Sequence, residues 1–250
     1  MSTIIKEMVE SLPEGKVKLV QVGYFWTLVC IKVNGREQCG LAASMHNEAY
    51  EHSRTPAVQA AGRLQDRMGS ELAEMALSES LTERAIGMAA INAMLPRSPE
   101  QWSEGNAEEV ILKHGRQKRV VVVGHFPFIE KMRTEIKELS VLELTPRPGD
   151  LPASAAPEVL PQADLVAITA TTLTNNTLEG LLELCRPDAH VMLLGPTTPL
   201  SPLLFNHGIN FISGAIVENV NKVALGVSQA ATFRQLSQMG VRLVNMQKPD

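Results

Sequence analysis

Hydrophobic positions change their spacing along the chain, and each change predicts a different kind of secondary structure. Alternating or β-branched apolar runs predict strands at Val17–Val22, Thr27–Val33 and Gln38–Ala42. Asn34-Gly35 separates the last two runs and predicts a tight hairpin turn, because both residues tolerate positive φ.

Helical spacing flanks these strands. Apolar residues three and four apart predict a short amphipathic helix over Ser2–Leu12 and helices between Val58 and Leu95. This order is typical of an α+β unit, so a small α+β domain is expected over residues 1–95. The segment Leu95–Asn106 is rich in Pro, Ser and Gly and is the predicted domain boundary.

Strands and helices alternate after this boundary. Arg119–Val123 is a continuous β-branched run, as expected for a strand that is buried on both faces. Further strands are predicted at Ser140–Leu144, Asp164–Thr169, His190–Leu194 and Asn210–Ile212. Helices are predicted at Phe128–Lys137, Leu178–Cys185 and Leu200–Asn206. The five-proline segment Pro146–Pro161 is expected to be a loop. The alternation predicts an α/β fold, a Rossmann-like domain with a parallel sheet over residues 106–250.

Charge and composition exclude several classes of protein. The net charge is −4, whereas proteins that bind nucleic acid or membrane surfaces need clustered cations to meet phosphate. No run of about 18 apolar residues is present, so no helix is expected to span a membrane. The three cysteines form no CxxC pair, and so sparse a set favours a reducing cytoplasm over a disulfide scaffold. We therefore expect a cytoplasmic protein, with a homo-oligomer left open.

Ligands of open parallel sheets bind outside the carboxyl ends of the strands, so the residues that follow each strand are candidates. The first such loop is Gly124-His125-Phe126-Pro127-Phe128. It opens a helix whose free N–H groups can bind an anion, although the GxGxxG pattern is absent. His125 is the candidate for proton transfer, since histidine titrates near neutral pH. A histidine that is hydrogen-bonded within its own loop is the alternative.

Two further candidates follow the next strands. Glu143 lies nineteen residues after Gly124, where Rossmann-type proteins hold ribose hydroxyls, although it can also be a plain strand-end residue. The run from Thr169 to Thr177 has more hydroxyl and amide groups than helix capping needs, so it predicts a polar cradle. Its expected ligand-binding members are Thr171, Thr172, Asn175, Asn176 and Thr177.

The remaining candidates are weaker. The loop Gly195-Pro196-Thr197-Thr198 can form an anion nest or a rigid turn. Gly214 would allow a ligand to approach the backbone or would serve close packing. Trp26 and Thr27 are expected to close the ligand cleft from the first domain, or to pack the two domains together.

Metal and nucleophile motifs are poorly matched. His46 and His52 are six residues apart, which does not place them on one face of a helix. No HExxH, Cys/His zinc pattern or GxSxG elbow occurs. The sequence therefore names neither a cofactor nor a metal.

The strand-end loops nevertheless resemble a known family. The stretches ADLVAITATTLTNNTLEGLL, VMLLGPTTPLSPLLFNHGI, FISGAIV, VVVGHFPF and LELTPRPGD are similar to the bacterial and archaeal "putative heavy-metal chelation" family, long a domain of unknown function. The stretch VGYFWTLVCIKVNGREQCGLAAS resembles that family's amino-terminal companion domain. The resemblance implies an enolase-amino-terminal-like domain before the Rossmann-like domain, with a site in the cleft between them that partly resembles a methyltransferase cofactor pocket.

Three functions are compatible with these features. The first is binding of a small metallophore-, pterin- or flavin-like molecule in a heavy-metal context, with enzymatic modification of that molecule left open. The second is a non-enzymatic metal-binding or metallochaperone protein, with ligands drawn from His125, His46, His52, Glu143 and Asp150. The third is a transferase that uses a nucleoside cofactor. The expected partner is thus a small molecule, a heavy-metal ion or a metal complex.

Overall fold

The computed structural model describes residues 2–46 and 56–249 of the 250-residue chain. In chain order, its helices and strands are α1 (Thr3–Ser11), β1 (Gly15–Val22), β2 (Trp26–Val33), β3 (Arg36–Ala43), α2 (Gly69–Glu74), α3 (Leu81–Met94), β4 (Ser103–Glu104), α4 (Ala107–Gly115), β5 (Arg119–Val123), α5 (Ile129–Glu135), β6 (Glu138–Glu143), β7 (Leu151–Pro152), α6 (Ala156–Val159), β8 (Leu165–Thr169), α7 (Thr171–Thr174), α8 (Leu178–Leu184), β9 (His190–Leu194), β10 (Phe211–Val217), α9 (Val220–Ser228), α10 (Phe233–Gln238) and β11 (Val241–Gln247). No helix within these residues is both long and apolar enough to cross a membrane.

The first sheet is antiparallel and has the order β1-β2-β3. The predicted hairpin is confirmed: Asn34 and Gly35 form its turn with φ of 49° and 82°, and Val33 pairs with Arg36. Successive side chains of a strand point to opposite faces, so this register decides which residues of β2 and β3 share a face.

Each face of this sheet packs on different helices. Val29 and Ile31 of β2 are buried against α3. Here β3 approaches the helix backbone so closely that a Cβ on Gly40 would lie 2.1 Å from the Ala89 carbonyl oxygen. The opposite face, which carries Leu28, packs on apolar residues of α9 and α10.

The second sheet has eight strands in the order β4-β11-β10-β9-β8-β5-β6-β7. The strands from β10 to β7 are parallel, as expected, whereas β11 pairs antiparallel with both β10 and β4, so the sheet is mixed. From β5 the chain first adds β6 and β7 on one side and then β8, β9 and β10 on the other. The strand order therefore reverses between β5 and β8, which is where open α/β sheets bind ligands.

Some predicted elements need correction. The segment Pro146–Pro161 is more than a loop, because it contains β7 and α6. Proline is compatible with such an edge strand, since an edge strand has unpaired N–H positions. The segment Leu200–Asn206 forms a 3₁₀ helix over Pro202–His207. Three elements at the carboxyl end, α9, α10 and β11, were not predicted.

Cysteine pairing is a further correction. Cys30 and Cys39 form a disulfide across the β2–β3 hairpin, although their spacing resembles no standard motif. They face each other directly in the register, with Cα atoms 4.1 Å apart. The disulfide removes the argument that the cysteine set favours a reducing compartment.

Candidate functional site

A cavity of about 270 Å³ opens at the carboxyl ends of β5, β6 and β8, beside the point where the strand order reverses. We call it the strand-end cavity. Its lining residues are Val123, Gly124, Leu142, Glu143, Leu144, Ala153, Ala156, Thr169, Thr171, Thr172, Asn175, Thr177, Gly180, Leu181 and Leu184. Six predicted site residues thus line one cavity, although they come from three separate loops: Gly124, Glu143, Thr171, Thr172, Asn175 and Thr177.

The turn after β5 brings the chain to this cavity. Gly124 has a φ of 101°, a conformation that side chains other than glycine rarely adopt. A Cβ at this position would also lie 3.0 Å from Cγ2 of Thr169. Glycine therefore serves both the backbone turn and the close approach of β5 to β8.

Glu143 is the acidic residue of the cavity, and the backbone holds its carboxylate in place. Oε1 accepts a hydrogen bond of 3.0 Å from the His125 N–H, and Oε2 accepts one of 2.8 Å from the Leu144 N–H. Each carboxylate oxygen can accept more than one hydrogen bond, so capacity is left for a ligand. The result is a pre-oriented anionic acceptor at the cavity wall.

The threonine-rich loop uses part of its polar capacity internally. The Thr172 hydroxyl donates to the Thr169 carbonyl over 2.6 Å, and the Thr177 hydroxyl donates to Oδ1 of Asn175 over 2.7 Å. The hydroxyls of Thr169 and Thr171 lie 3.1 Å apart. These bonds are not the helix capping that the sequence left as the alternative, because neither α7 nor α8 has a side-chain cap, but they fix the loop that lines the strand-end cavity.

His125 does not line the strand-end cavity, and its ring is hydrogen-bonded to Asp150. Nδ1 lies 2.8 Å from Oδ2 of Asp150, whose Oδ1 accepts a 2.8 Å hydrogen bond from Nη2 of Arg133. The Arg147 N–H also donates to Oδ2, over 3.2 Å. The Asp150 side chain has no exposed surface, and the His125 side chain is 10% exposed. This network anchors the loop after β6 to α5.

The charge of Asp150 is stabilised by its partners. Burial alone would raise the pKa of this carboxyl, but the hydrogen bonds from His125 and the Arg147 N–H, together with the charge of Arg133, outweigh burial. The pKa of Asp150 is therefore lower than its ordinary value, and the group is ionised at neutral pH.

A second, more apolar cavity of about 470 Å³ lies on the other side of the His125 loop. The predicted residues Phe126, Pro127, Phe128, Gly195 and Pro196 line this cavity and do not line the first one. The rings of Phe126 and Phe128 are stacked, with centroids 5.2 Å apart. The two loops thus supply a separate apolar surface.

Other predicted residues lie where the two sheets meet. The Thr197 hydroxyl accepts a 2.9 Å hydrogen bond from the Ala43 N–H, and the Thr197 carbonyl accepts one of 3.0 Å from Asn92. Thr198 is buried beside Thr197. A Cβ on Gly214 would lie 2.8 Å from the Thr198 carbonyl oxygen, so this glycine permits close packing of the same loop.

The last predicted residues are spread around the molecule. Asn176 lines a third cavity, together with Ser2 and Arg84. Trp26 packs on Phe233, with ring centroids 5.6 Å apart. Thr27 is buried, and its hydroxyl lies 3.0 Å from that of Ser44. His46 is exposed, and His52 lies outside the described residues.

The residues that sequence reasoning missed are mostly apolar. Leu142, Leu144, Leu181 and Leu184 line the strand-end cavity together with its polar groups. Ala153 and Ala156 come from the proline-rich segment, which was expected to be a loop. Leu144, directly after Glu143 in the chain, is 75% exposed, which its sequence neighbours do not predict. Every lining residue falls between 123 and 184, so the cavity lies within the second sheet's region and not in a cleft between the two regions.

The strand-end donors do not match a metal site. Asp150 is already bound by a histidine, an arginine and a backbone N–H, and neither Asp150 nor Glu143 belongs to a group of three or more converging His, Cys, Asp or Glu side chains among the described residues. Across residues 2–46 and 56–249, the His, Cys, Asp and Glu side chains that converge in a group of three or more are Cys30, Glu37 and Cys39.

Comparison with known families identifies the chain. The model of the DUF364 family, described as "Putative heavy-metal chelation", matches residues 106–246, more than half of the chain. The chain belongs to the DUF364 family. The DUF4213 model, with the same description, matches residues 5–95 of this DUF364 protein. The resemblance seen in the strand-end loops is thereby confirmed, and a metal-related function is indicated for both regions.

Relatives of this DUF364 protein share the sequence and the fold. It is 28% identical over 214 residues to "Uncharacterized protein MJ0500" of Methanocaldococcus jannaschii, covering 83% of this chain and 81% of the relative. The crystal structure of a DUF364 protein of unknown function from Desulfitobacterium hafniense has a TM-score of 0.81 at 30% identity, covering 98% of both chains. One from Pyrococcus horikoshii also has a TM-score of 0.81, at 20% identity and the same coverage, and shows the same fold.

Proposed function

We propose that the strand-end cavity binds a small metallophore-, pterin- or flavin-like molecule that carries hydroxyl groups. The observation that carries this proposal is the position of Glu143, whose carboxylate is fixed by two backbone N–H groups at the wall of the cavity. Because this carboxylate is already fixed, it loses little side-chain entropy when it accepts hydrogen bonds from the hydroxyls of a ligand.

The apolar wall supports a ligand with a planar or alkyl part. Leu142, Leu181 and Leu184 line the cavity, and so does Leu144, whose side chain is exposed. Small-molecule sites typically combine such an apolar lining with a few fixed polar groups. A bound ring would remove the leucine side chains from water while its hydroxyls met Glu143.

His125 has a positioning role in this proposal. Its N–H holds Glu143, and its ring holds Asp150 and so the loop after β6. The proton-transfer role expected from the sequence stays a prediction. The family descriptions support a heavy-metal context, and a metal-binding small molecule is compatible with that context without protein ligands at this site.

The test is a binding titration of the full chain with riboflavin, pterin, adenosine and S-adenosylmethionine as probes. We expect at least one probe to bind, and Glu143→Gln to weaken its binding about tenfold to a hundredfold. Loss of one hydrogen bond to a charged group costs about 1.5–3 kcal/mol, and about 1.4 kcal/mol corresponds to a factor of ten.

Glu138→Gln is the matched control. Glu138 begins the same strand that Glu143 ends, but its side chain is 53% exposed and pairs with Arg119 far from the cavity. This variant should bind as the wild type does. Equal affinity of the Glu143→Gln variant and the wild type for every probe that binds would refute the role of Glu143. Binding of S-adenosylmethionine alone would favour the transferase.

A further inference from the structure

A second group of residues, far from the strand-end cavity in the chain, has the chemistry of a soft-metal site. Cys30 lies on β2, and Cys39 and Glu37 lie on β3. The two sulfur atoms and a carboxylate oxygen all lie within 4.8 Å of one another. Thiolate sulfur is the ligand that selects soft metal ions, and a carboxylate is a common additional ligand.

The hairpin register brings these three residues together. Cys30 is the direct partner of Cys39, and Glu37 is the partner of Lys32 one step nearer the turn on the same face. Their proximity is therefore set by the backbone of a well-defined hairpin and does not depend on a flexible loop.

The three residues differ in burial, because the two cysteines are buried and the glutamate is exposed. Cys30 and Cys39 are 0% and 2% exposed and lie among apolar residues such as Leu28 and Leu41. Glu37 is exposed, so the group reaches solvent on its side. Two thiolates neutralise a divalent ion, which lets the ion enter an apolar environment without leaving an unpaired buried charge.

We propose that Cys30, Cys39 and Glu37 form a redox-controlled site for one soft divalent metal ion. In the oxidised state the disulfide closes the site. Two molecules of a thiol reductant break the bond between the two sulfur atoms, each cysteine gains a proton, and the reductant becomes a disulfide. Metal binding then releases the two thiol protons, and Glu37 supplies the third ligand from the solvent side.

The geometry of the pair permits this change with little backbone movement. Two sulfurs bound to one tetrahedral zinc-like ion at about 2.3 Å lie about 3.8 Å apart. The Cα atoms of the pair are 4.1 Å apart, so rotation of the two side chains is enough to adjust the separation of the sulfurs. The proposal does not depend on the function of the strand-end cavity, whose lining residues all lie between 123 and 184.

The test compares the oxidised and reduced forms of the full-length wild type. Each form is titrated with Cd²⁺ as the only metal ion, and a phosphine keeps the reduced form reduced. Thiolate-to-cadmium absorption is followed in the near ultraviolet. We expect the reduced protein to bind one equivalent and the oxidised protein to show no thiolate–cadmium signal. A reduced wild type without that signal, or equal signals from both forms, would overturn the proposal.

Variants assign the ligands. Cys30→Ser and Cys39→Ser should each abolish the one-equivalent signal, and Glu37→Gln should weaken Cd²⁺ binding at least about tenfold, the size of effect usual for groups around a metal. Cys185→Ser is the matched control, because Cys185 lies on the second sheet's side of the molecule, after α8. Loss of the signal in Cys185→Ser, or its persistence in Cys30→Ser, contradicts the assignment. If a serine variant fails to fold, the comparison of the two wild-type forms still decides the matter.

Discussion

Valine substitutions of Thr197 and Thr198 distinguish packing from ligand binding in the loop after β9. Both threonines are buried, at 2% and 1% exposure, so the two substitutions change equally hidden positions. Their hydroxyls differ in one respect. The Thr197 hydroxyl accepts a 2.9 Å hydrogen bond from the Ala43 N–H of the first sheet, whereas the Thr198 hydroxyl has no hydrogen-bond partner among the described residues.

The expected magnitudes follow from this difference. Thr197→Val leaves the half-buried Ala43 N–H without its acceptor, which costs about 1–3 kcal/mol. Thr198→Val removes a desolvated hydroxyl that gains nothing from burial, so the free energy of unfolding should stay the same or rise by up to about 1 kcal/mol. We therefore expect the two variants to differ by about 2 kcal/mol, or about 4–8 °C in Tm for a chain of this size.

Urea unfolding and thermal unfolding of both variants measure this difference directly. Equal destabilisation by the two substitutions, or a greater loss with Thr198→Val, would refute the hydrogen-bond argument. The same variants are then titrated with whichever probe binds the strand-end cavity. Neither threonine lines that cavity, so folded Thr197→Val protein should bind as the wild type does. Lost binding in a folded variant would restore the anion-nest hypothesis for this loop.

Two further substitutions, each compared with a control substitution, test the Asp150 network and the close packing at Gly40. Asp150→Asn should lower the free energy of unfolding by about 3 kcal/mol at neutral pH, because it removes the buried charge that pairs with Arg133 and His125. Glu138→Gln, at an exposed position, should cost less than about 1 kcal/mol. Folding lowers the pKa of Asp150 from 3.8, so the contribution of this carboxylate is present above that value and is lost as pH falls through the lower folded value. Urea unfolding against pH should therefore show wild type and Asp150→Asn converging only below about pH 4. Gly40→Ala should destabilise the protein by about 2–3 kcal/mol, because the new Cβ would lie 2.1 Å from the backbone of α3. Gly180→Ala is the control, because no atom lies within 4 Å of its new Cβ. In the same unfolding assay it should stabilise the protein by about 0.5–1 kcal/mol, since alanine favours the helix α8.

Local patterns were sufficient to predict most of the framework. Strand and turn signals act over a few residues, so β2, β3 and the hairpin between them were predicted within one or two residues. The carboxyl ends of parallel strands share one edge, so Glu143 and Asn175 could be expected near each other from strand order alone. Both line the strand-end cavity.

Positions decided by long-range packing could not be predicted in this way. Thr197 and Asn175 both follow parallel strands and have the same polar character, yet only Asn175 lines the strand-end cavity. The difference arises because Ala43 at the end of β3 docks on the loop that carries Thr197. No pattern within that loop encodes the docking. Pro152 was likewise expected in a loop, but it lies in β7, because an edge strand tolerates proline.

The cysteine pair shows that a predicted hairpin contains more information than residue spacing. Once Asn34 and Gly35 are placed in the turn, each residue of β2 has a defined partner on β3. Counting outwards from the turn pairs Cys30 with Cys39 and puts Glu37 on their face. Metal motifs such as CxxC describe ligands that are close in the chain, so they miss ligands that meet across two strands. Where a sequence predicts a tight turn, cross-strand partners should therefore be searched for metal ligands before a metal site is excluded.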